Sequence, residues 1–322
     1  MRAPITLDLH LPNFNFPGVG PDEVFDHLVE IAQTAERSGF SSISVMDHLH
    51  QIRGVGPPEN WMFEANTILA GLAARTSTVT LGSLVGAVTY RNPALLAKVT
   101  TTLDVISGGR TWLGLGAAWF EDEHRAYGYE FPPLKVRFEM LEDALRVIRA
   151  MLTQERASYA GKHFSVEGAY NNPKPLRGDI PILIGGGGER KTLRLVATYA
   201  DGCNLFGDPA TVRHKLDVLE RHCEDVGRDP AEITKTKIGV VLIGDTHEAA
   251  HAKIERLAAA GLPRERLEAA TVGESDELAE WAASFAEVGI EGLTISIPDV
   301  HDLEVVELTG KALAGVFAPQ SV

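Results

Sequence analysis

Apolar positions along the chain alternate between two rhythms, a period of two and a period near 3.6, and each change of rhythm coincides with a capping or breaking residue. Residues 4–11, built on ITLDLHL, predict a first strand closed by Pro12. Pro21 with Asp22 and Glu23 then opens a helix whose apolar face is Val24, Leu28, Ile31 and Ala35, and Gly39 closes it. The pairing recurs. Strand 41–46 precedes a helix over 62–75, and strand 79–85 precedes a helix capped by Asn92-Pro93 and broken at Ser107-Gly108-Gly109. Strand 111–115 precedes a helix over 135–152, with FEDEHRAYGYEFPP between them read as a long aromatic loop. A short hairpin is expected over 156–168. Strands follow at 182–184, 202–206, 235–244 and 293–297, each ahead of helical spacing at 193–200, 209–227, 246–260 with 276–288, and 303–313. About eight alternations with no linker or low-complexity segment predict parallel strands with helical crossovers. The expected fold is therefore a (β/α)8 TIM barrel, one domain over 1–322 with insertions at its C-terminal mouth.

The stretch Pro181–Gly202, PILIGGGGERKTLRLVATYADG, carries the most specific chemical signal. A strand runs into four glycines, Gly185, Gly186, Gly187 and Gly188, and a helical pattern starts behind them. Glycines let a ligand approach the backbone amides, and a helix N-terminus offers unpaired N–H groups and the positive end of a dipole. Arg190 and Lys191 add positive charge to that turn, beside Glu189. The combination predicts a phosphate site; the alternative is a loop that only makes a sharp corner. No GK[ST] follows, so it is not a Walker A loop, and it is not the dinucleotide GxGxxG.

Composition narrows the partners. Of 322 residues, 44% are hydrophobic and 23% charged, ordinary for a globular protein, while the formal net charge of −14 argues against nucleic acid or an anionic membrane as partner. Two cysteines, Cys203 and Cys223, have no zinc spacing and point to a reducing, cytoplasmic setting. Asp8 and His10 interrupt what would be the apolar core of a leader, and no apolar run reaches bilayer length.

In this fold, function gathers at the C-terminal ends of the strands. Asp47-His48-Leu49-His50 is the dense polar cluster there. Its HxH spacing would suit a metal only with more ligands at other strand ends, which carry IGGGG and CNLF instead, so no metal is expected. His48 is the candidate proton donor or acceptor, with Asp47 as a hydrogen-bonding neighbour; the bland alternative is a capping Asp beside a packed His. Gly114, Gly116, Ala117 and Ala118 would let a ring lie against the backbone, with Trp119 as an apolar wall, or would merely ease helix packing. Gly82-Ser83-Leu84-Val85 has the same ambiguity. Trp119, Phe120, Tyr127, Tyr129 and Phe131 read equally as a pocket wall or as the interior of a long loop.

Taken together, the strand-end DH at 47–48, LGSLV at 81–85 followed by YRNPALLAK, SGGRTWLGLGAAWFEDEHRAYG at 107–128, RFEMLEDAL at 137–145 and ILIGGGGERKTLRLVATYADG at 182–202 resemble the luciferase-like monooxygenase superfamily, and more closely its coenzyme F420-dependent oxidoreductases. The resemblance covers the chain to about residue 210. It implies a deazaflavin cofactor, F420, at the barrel mouth, with FMN as the alternative. Asp47 and His48 would sit at the ring edge and Ser83, Leu84 and Val85 on a bulged third strand, where the family often has a non-prolyl cis peptide. Gly114 to Trp119 would line the ring and ribityl chain, and Gly185 to Arg190 would hold the phosphate. The chain departs from the family's sugar-phosphate dehydrogenases, with Ile52 and Trp119 where those have an aromatic residue and a glutamate, so an apolar or otherwise activated substrate is expected. The expected activity is hydride transfer to or from a small organic molecule. The readings kept beside it are an FMN-dependent monooxygenase and a non-catalytic flavin-binding protein. The expected assembly is a homodimer.

Overall fold

Alternation along the first strand, Leu7–Leu11, sets the layering of the molecule. Leu7, Leu9 and Leu11 join the core beneath the helices, Asp8 and His10 turn to the barrel interior, and all five are buried. In the computed structural model, which describes residues 5–317, this strand lies parallel between the second, Ser42–Val45, and the eighth, Gly292–Ser296. The ring continues through a third strand split into Thr80–Ser83 and Gly86–Ala87, then Leu113–Gly116, Ile182–Gly185, Gly202–Leu205 and Thr234–Ile243 as strands four to seven. Every pair in this ring is parallel, as the alternation of patterns predicts, and the architecture is the (β/α)8 barrel.

The seam between strands three and four is the thin one. The first half of strand three meets strand four through a single bridge, Leu81 with Thr111, and the second half through Gly86 and Leu115. Between the halves the Leu84–Val85 peptide is cis. Glycines make the room this requires. A Cβ on Gly114 would stand 1.9 Å from the Ser83 carbonyl oxygen, and one on Gly185 would stand 2.6 Å from a Val85 methyl.

Helix boundaries follow the capping residues. The Asn92 side chain accepts from Ala94 N–H ahead of Pro93–Ser107, which ends at Gly108 with φ +69°, and Asp208 does the same for Pro209–Val226, which ends at Gly227 with φ +70°. The expected helix over 62–75 is shorter, Ala65–Ala73, because the Glu64 side chain takes the N-cap by accepting from Thr67 N–H. The stretch expected as an aromatic loop contains a helix, Glu121–Tyr127, with three acids in its first turn and Gly128 at φ +73° closing it. The segment between strands seven and eight adds a helix, Arg264–Glu268, and a short strand, Thr271–Gly273, that pairs in parallel beside the C-terminal end of strand seven. The hairpin at 156–168 is present as Ala157–Ala160 paired with Ser165–Ala169.

The barrel interior is filled in layers. Ile5, Trp112 and Leu183 form a small apolar plug, with Gly82 leaving space for the Trp112 ring. A polar layer lies next to it: Trp112 Nε1–H donates to Ser42, Asn204 to Thr236 and Thr294, and Ser44 to Asp8. The mouth is left open. Among the described residues, no helix is long and apolar enough to cross a membrane.

Candidate active site

All eight strands contribute to one cavity of about 690 Å³ at their C-terminal ends, a volume typical of small-ligand sites. Its two sides differ in kind. Strands three to six bring Leu84 and Val85, Gly116 with Ala117, Ala118 and Trp119, Gly185 with Gly186, and Asn204 with Phe206, so apart from the Asn204 amide this arc is apolar or bare backbone. Trp119 and Phe206 are 61% and 60% exposed, which leaves aromatic surface standing at the rim. Ala118 has φ +62°, the one positive value at a non-glycine among the described residues, and the strain sits in the cavity wall. Strands seven, eight, one and two bring Lys237, Ser296, His10, Asp47 and His48, with Arg266 reaching in from its helix; this arc is polar.

Beyond the end of strand two, His48 Nδ1 lies 2.7 Å from Glu123 Oε1. Leu49 N–H donates to Glu123 Oε2 at 2.8 Å, and the Tyr90 hydroxyl donates to Oε1. Burial alone would raise the Glu123 carboxyl. The hydrogen bonds from His48, Tyr90 and Leu49, together with charge on His48, outweigh it and hold the carboxyl below its ordinary value. Tyr90 answers in the other direction, since burial and the Glu123 contact both push its phenol up. An ionised carboxylate only accepts, so Nδ1 of His48 carries the proton of their bond and Nε2 is the nitrogen left to exchange one. Trp119 and Phe120 stand edge-on to the His48 ring at 5.6 and 5.9 Å and fix its plane.

Asp47 has a different task. Arg91 grips it at two points, Nη1 to Oδ2 at 2.6 Å and Nη2 to Oδ1 at 2.9 Å, and also donates to Glu64. Burial would lower the guanidinium, but the two carboxylates prevail and raise it. The HxH pair divides: His50 packs against Phe120 and Tyr127, away from the cavity lining. Among the described residues, no cluster of His, Cys, Asp and Glu is arranged to hold a metal.

On strand one, His10 Nδ1 is 2.9 Å from Ser44 Oγ, and that hydroxyl gives its proton to Asp8 Oδ2 at 2.6 Å. Nδ1 of His10 therefore donates to Ser44. Burial first, then the charges of Arg266 and His48, push the His10 imidazole down to about 3, so it is neutral at physiological pH. Asp8 is held up at about 6 by burial, against the opposing pull of the Ser44 hydrogen bond and the neighbouring Ser42 and Thr294 hydroxyls, and its Oδ1 has no hydrogen-bond partner.

The glycine stretch divides between two spaces. Gly185 and Gly186 line the main cavity, while Gly187, Gly188, Glu189 and Arg190 line a neighbouring hollow of about 350 Å³ with Lys191, Thr192 and Lys215; Phe138 borders both. The helix behind the glycines starts at Thr192, close to where the spacing puts it, so Arg190 and Lys191 precede its first turn instead of lying in it. The Glu189 carboxylate is already paired with Lys215 at 2.8 Å and His214 at 3.3 Å. A Cβ on Gly187 would meet nothing nearer than Lys215 Cε at 3.8 Å, so the backbone there is bare toward the hollow. These features fit a phosphate, and the apolar arc fits a flat ring.

Of the residues singled out in the sequence, Asp47, His48, Leu84, Val85, Gly116, Ala117, Ala118, Trp119, Gly185 and Gly186 line the main cavity. Ser83 and Gly114 do not: they are packed on one another below it, where Gly114 is needed to clear the Ser83 carbonyl. Sequence reasoning missed Glu123, Tyr90, Arg91, His10, Lys215 and Arg266. Glu123 stands as one of three acids before HRAYG, and Tyr90 and Arg91 open the YRNPALLAK stretch, but nothing in either pattern assigns them a role.

Residues 5–297 match the family model described as luciferase-like monooxygenase. The chain is 27% identical over 319 residues to the F420-dependent glucose-6-phosphate dehydrogenase of Segniliparus rotundus, covering 89% of this chain and 92% of that protein. It is 31% identical over 237 residues to the pyrimidine monooxygenase RutA of Stutzerimonas stutzeri, covering 70% of this chain and 62% of that one. The fold is shared with an F420-dependent secondary alcohol dehydrogenase solved with an F420-acetone adduct, at TM-score 0.79 and 19% identity over 98% of this chain and 99% of that chain.

Proposed function

The chain belongs to the luciferase-like monooxygenase family, and from that premise we propose that it is an F420-dependent oxidoreductase acting on a small organic substrate. The observation that carries the reading is the His48–Glu123–Tyr90 group beside an apolar, glycine-lined arc. When bound, the deazaflavin gives or takes the hydride. The protein's part is to move the accompanying proton and to hold both molecules. His48 Nε2 exchanges the proton, and Glu123 keeps the ring in one tautomer and stabilises it when charged. Asp47, held by Arg91, would offer fixed acceptors to the cofactor. Leu84, Val85, the backbone of Gly116 to Ala118 and the Trp119 indole would hold its ring and limit access of water to it. Gly187, Gly188, Arg190 and Lys215 would take the phosphate.

The similarity to RutA favours a second reading, an FMN-dependent monooxygenase on the same scaffold. Ser83 and Gly114 lie outside the cavity lining, and their part is to pack strands three and four beneath it. We also propose a single-domain chain working as a homodimer in the cytoplasm, checked by light scattering of the purified protein and by fractionation of cells.

Titration of the purified protein with F420 and with FMN, followed by fluorescence, decides between the cofactors; tight FMN binding without F420 binding sinks the first reading. In the same protein, Glu123→Gln should leave the F420 dissociation constant within a few-fold and slow the chemical step by about 10²- to 10⁴-fold, the usual range for general acid-base groups. Undiminished turnover would remove the pair from the mechanism. No turnover in either protein, over a broad substrate panel with cofactor bound, would favour a non-catalytic flavin-binding role.

A further inference from the structure

The polar arc contains a cation with no counter-ion. Arg266 donates from Nη2 to Ser296 Oγ at 2.7 Å, and no carboxylate lies within ion-pair distance of it among the described residues. Burial pulls its guanidinium below the ordinary value. The two carboxylates in the cavity are both engaged by strands two to four, Asp47 by Arg91 and Glu123 by His48 and Tyr90. Lys237, the other cation of this wall, packs its ammonium over Trp281 and Phe285 at 4.6 and 4.4 Å and also lacks a carboxylate. A chain with a net charge of −14 has acids to spare for balancing such groups elsewhere on its surface. Leaving a partly buried guanidinium unpaired costs free energy unless something else supplies the anion.

Register places that guanidinium close to the proposed chemistry. Ser296 is the partner of His10 across strands eight and one, and His10 is the partner of Ser44 across strands one and two, two residues before Met46 and four before His48. The ring nitrogen of His10 not given to Ser44 is Nε2, an acceptor in the neutral ring. Ser296, His10 and His48 thus form an arc across strands eight, one and the end of strand two, with Arg266 reaching from its helix onto Ser296.

We infer that Arg266, with Ser296 and His10 beside it, is the receptor for an anionic group on the substrate, a carboxylate, phosphate or sulfonate, held a few bonds from the reacting centre. The guanidinium donates to the anion's oxygens, and His10 Nε2 accepts from a hydroxyl or N–H next to it. This rests on the reading of the cavity as the reaction chamber. It differs from the glycine hollow in location, and the two predict different variants.

The test is thermal stabilisation of the cofactor-free protein by inorganic phosphate, sulfate and acetate, at constant ionic strength with chloride as control. Concentrations run into the tens of millimolar, where a weak single-group contact still saturates. At least one of the three should raise the melting temperature, and Arg266→Gln should weaken that response about tenfold or more, the scale of one charge-assisted contact. Arg266→Lys, which keeps the charge, should retain part of it; Lys215→Gln should lose only the phosphate taken by the glycine hollow and keep the Arg266-dependent part, and Lys311→Gln, at an exposed cation outside both cavities, should keep the response whole. F420 affinity should be unchanged in Arg266→Gln. No response to any anion, a response intact in Arg266→Gln, or one lost only in Lys215→Gln would overturn the inference. Loss of F420 affinity in Arg266→Gln would give the residue to the cofactor instead. Failure of the wild-type protein to bind F420 would sink the proposed function without altering what the anion titration says about Arg266.

Discussion

Asp8 shows how much a single side chain in this barrel is governed by its layer. It sits in the polar floor beneath the cavity, fully buried, with Ser44 on one oxygen and nothing on the other. Burial raises its carboxyl from 3.8 to about 6. The folded state therefore keeps the proton where the unfolded chain has released it. This stabilising contribution is complete below the unfolded value of 3.8 and is lost as pH rises through about 6. Two units correspond to about 3 kcal/mol, as an order of magnitude. Asp8→Asn keeps the shape and removes the titration. Relative to wild type, it should gain several degrees in melting temperature above pH 7 and gain nothing near pH 4, measured as the difference between the two proteins across that range. A difference that does not vary with pH would mean that Asp8 is ionised throughout. At this scale the sequence is least informative. His48 could be nominated because it follows a strand directly, but Glu123 stands among three neighbouring acids, and only the packing of a seven-residue helix selects which one is buried. Arg266 lies in a polar segment with no distinguishing pattern, and its meaning comes from what is missing around it.

At the scale of elements, the glycines at the ends of strands four and five look alike in sequence and do opposite things. Gly114 is there for packing, since its Cβ would overlap the Ser83 carbonyl at 1.9 Å. Gly187 faces open space, and its φ imposes no demand for glycine. Gly114→Ala should therefore destabilise the protein by about 2 to 4 kcal/mol, within the range of severe steric substitutions. Gly187→Asp should fold with a melting temperature near wild type and lose F420 affinity by about a hundredfold or more, because a carboxylate is put where the phosphate is proposed to bind. Calorimetry and fluorescence titration of both variants check the pair. If Gly187→Asp binds as wild type, the stretch is only a corner. The elements themselves were legible wherever a cap marks a boundary, as at Asn92-Pro93 and Asp208-Pro209, because capping is local chemistry. They were misread where a tertiary partner decides. The helix Glu121–Tyr127 has its start and stop signals in sequence, but its aromatic residues read equally as a pocket wall or a loop interior, and only the fold brings Glu123 against His48.

For the whole molecule, the ring of strands is only as strong as its weakest seam, and that seam carries the site. Strands three and four share one bridge and one short pair on either side of the residues that line the ring pocket. Arg110, at the start of strand four, compensates from below. Its guanidinium donates to the carbonyls of Ala73, Thr76, Val79 and Ser107 and to the Thr76 hydroxyl, tying the C-terminal ends of two helices to the strands between them. Those helix ends present unpaired carbonyls with the negative end of the dipole, so a planar cation with five donors suits them in a way that a lysine does not. Arg110→Lys keeps the charge and loses most of the contacts. It should cost about 2 to 4 kcal/mol, the loss of several charge-assisted hydrogen bonds partly replaced by water. Hydrogen exchange locates the damage. The Leu81 and Trp112 amides, which close the seam onto the Arg110 and Leu81 carbonyls at 2.8 and 3.0 Å, should lose protection before those of strands one and eight. F420 affinity should fall along with that protection, although Arg110 lies outside the residues lining the cavity, because Leu84 and Val85 depend on the same seam. Protection lost evenly around the ring would mean that the barrel opens as one unit and that strands three and four are no weaker than the rest.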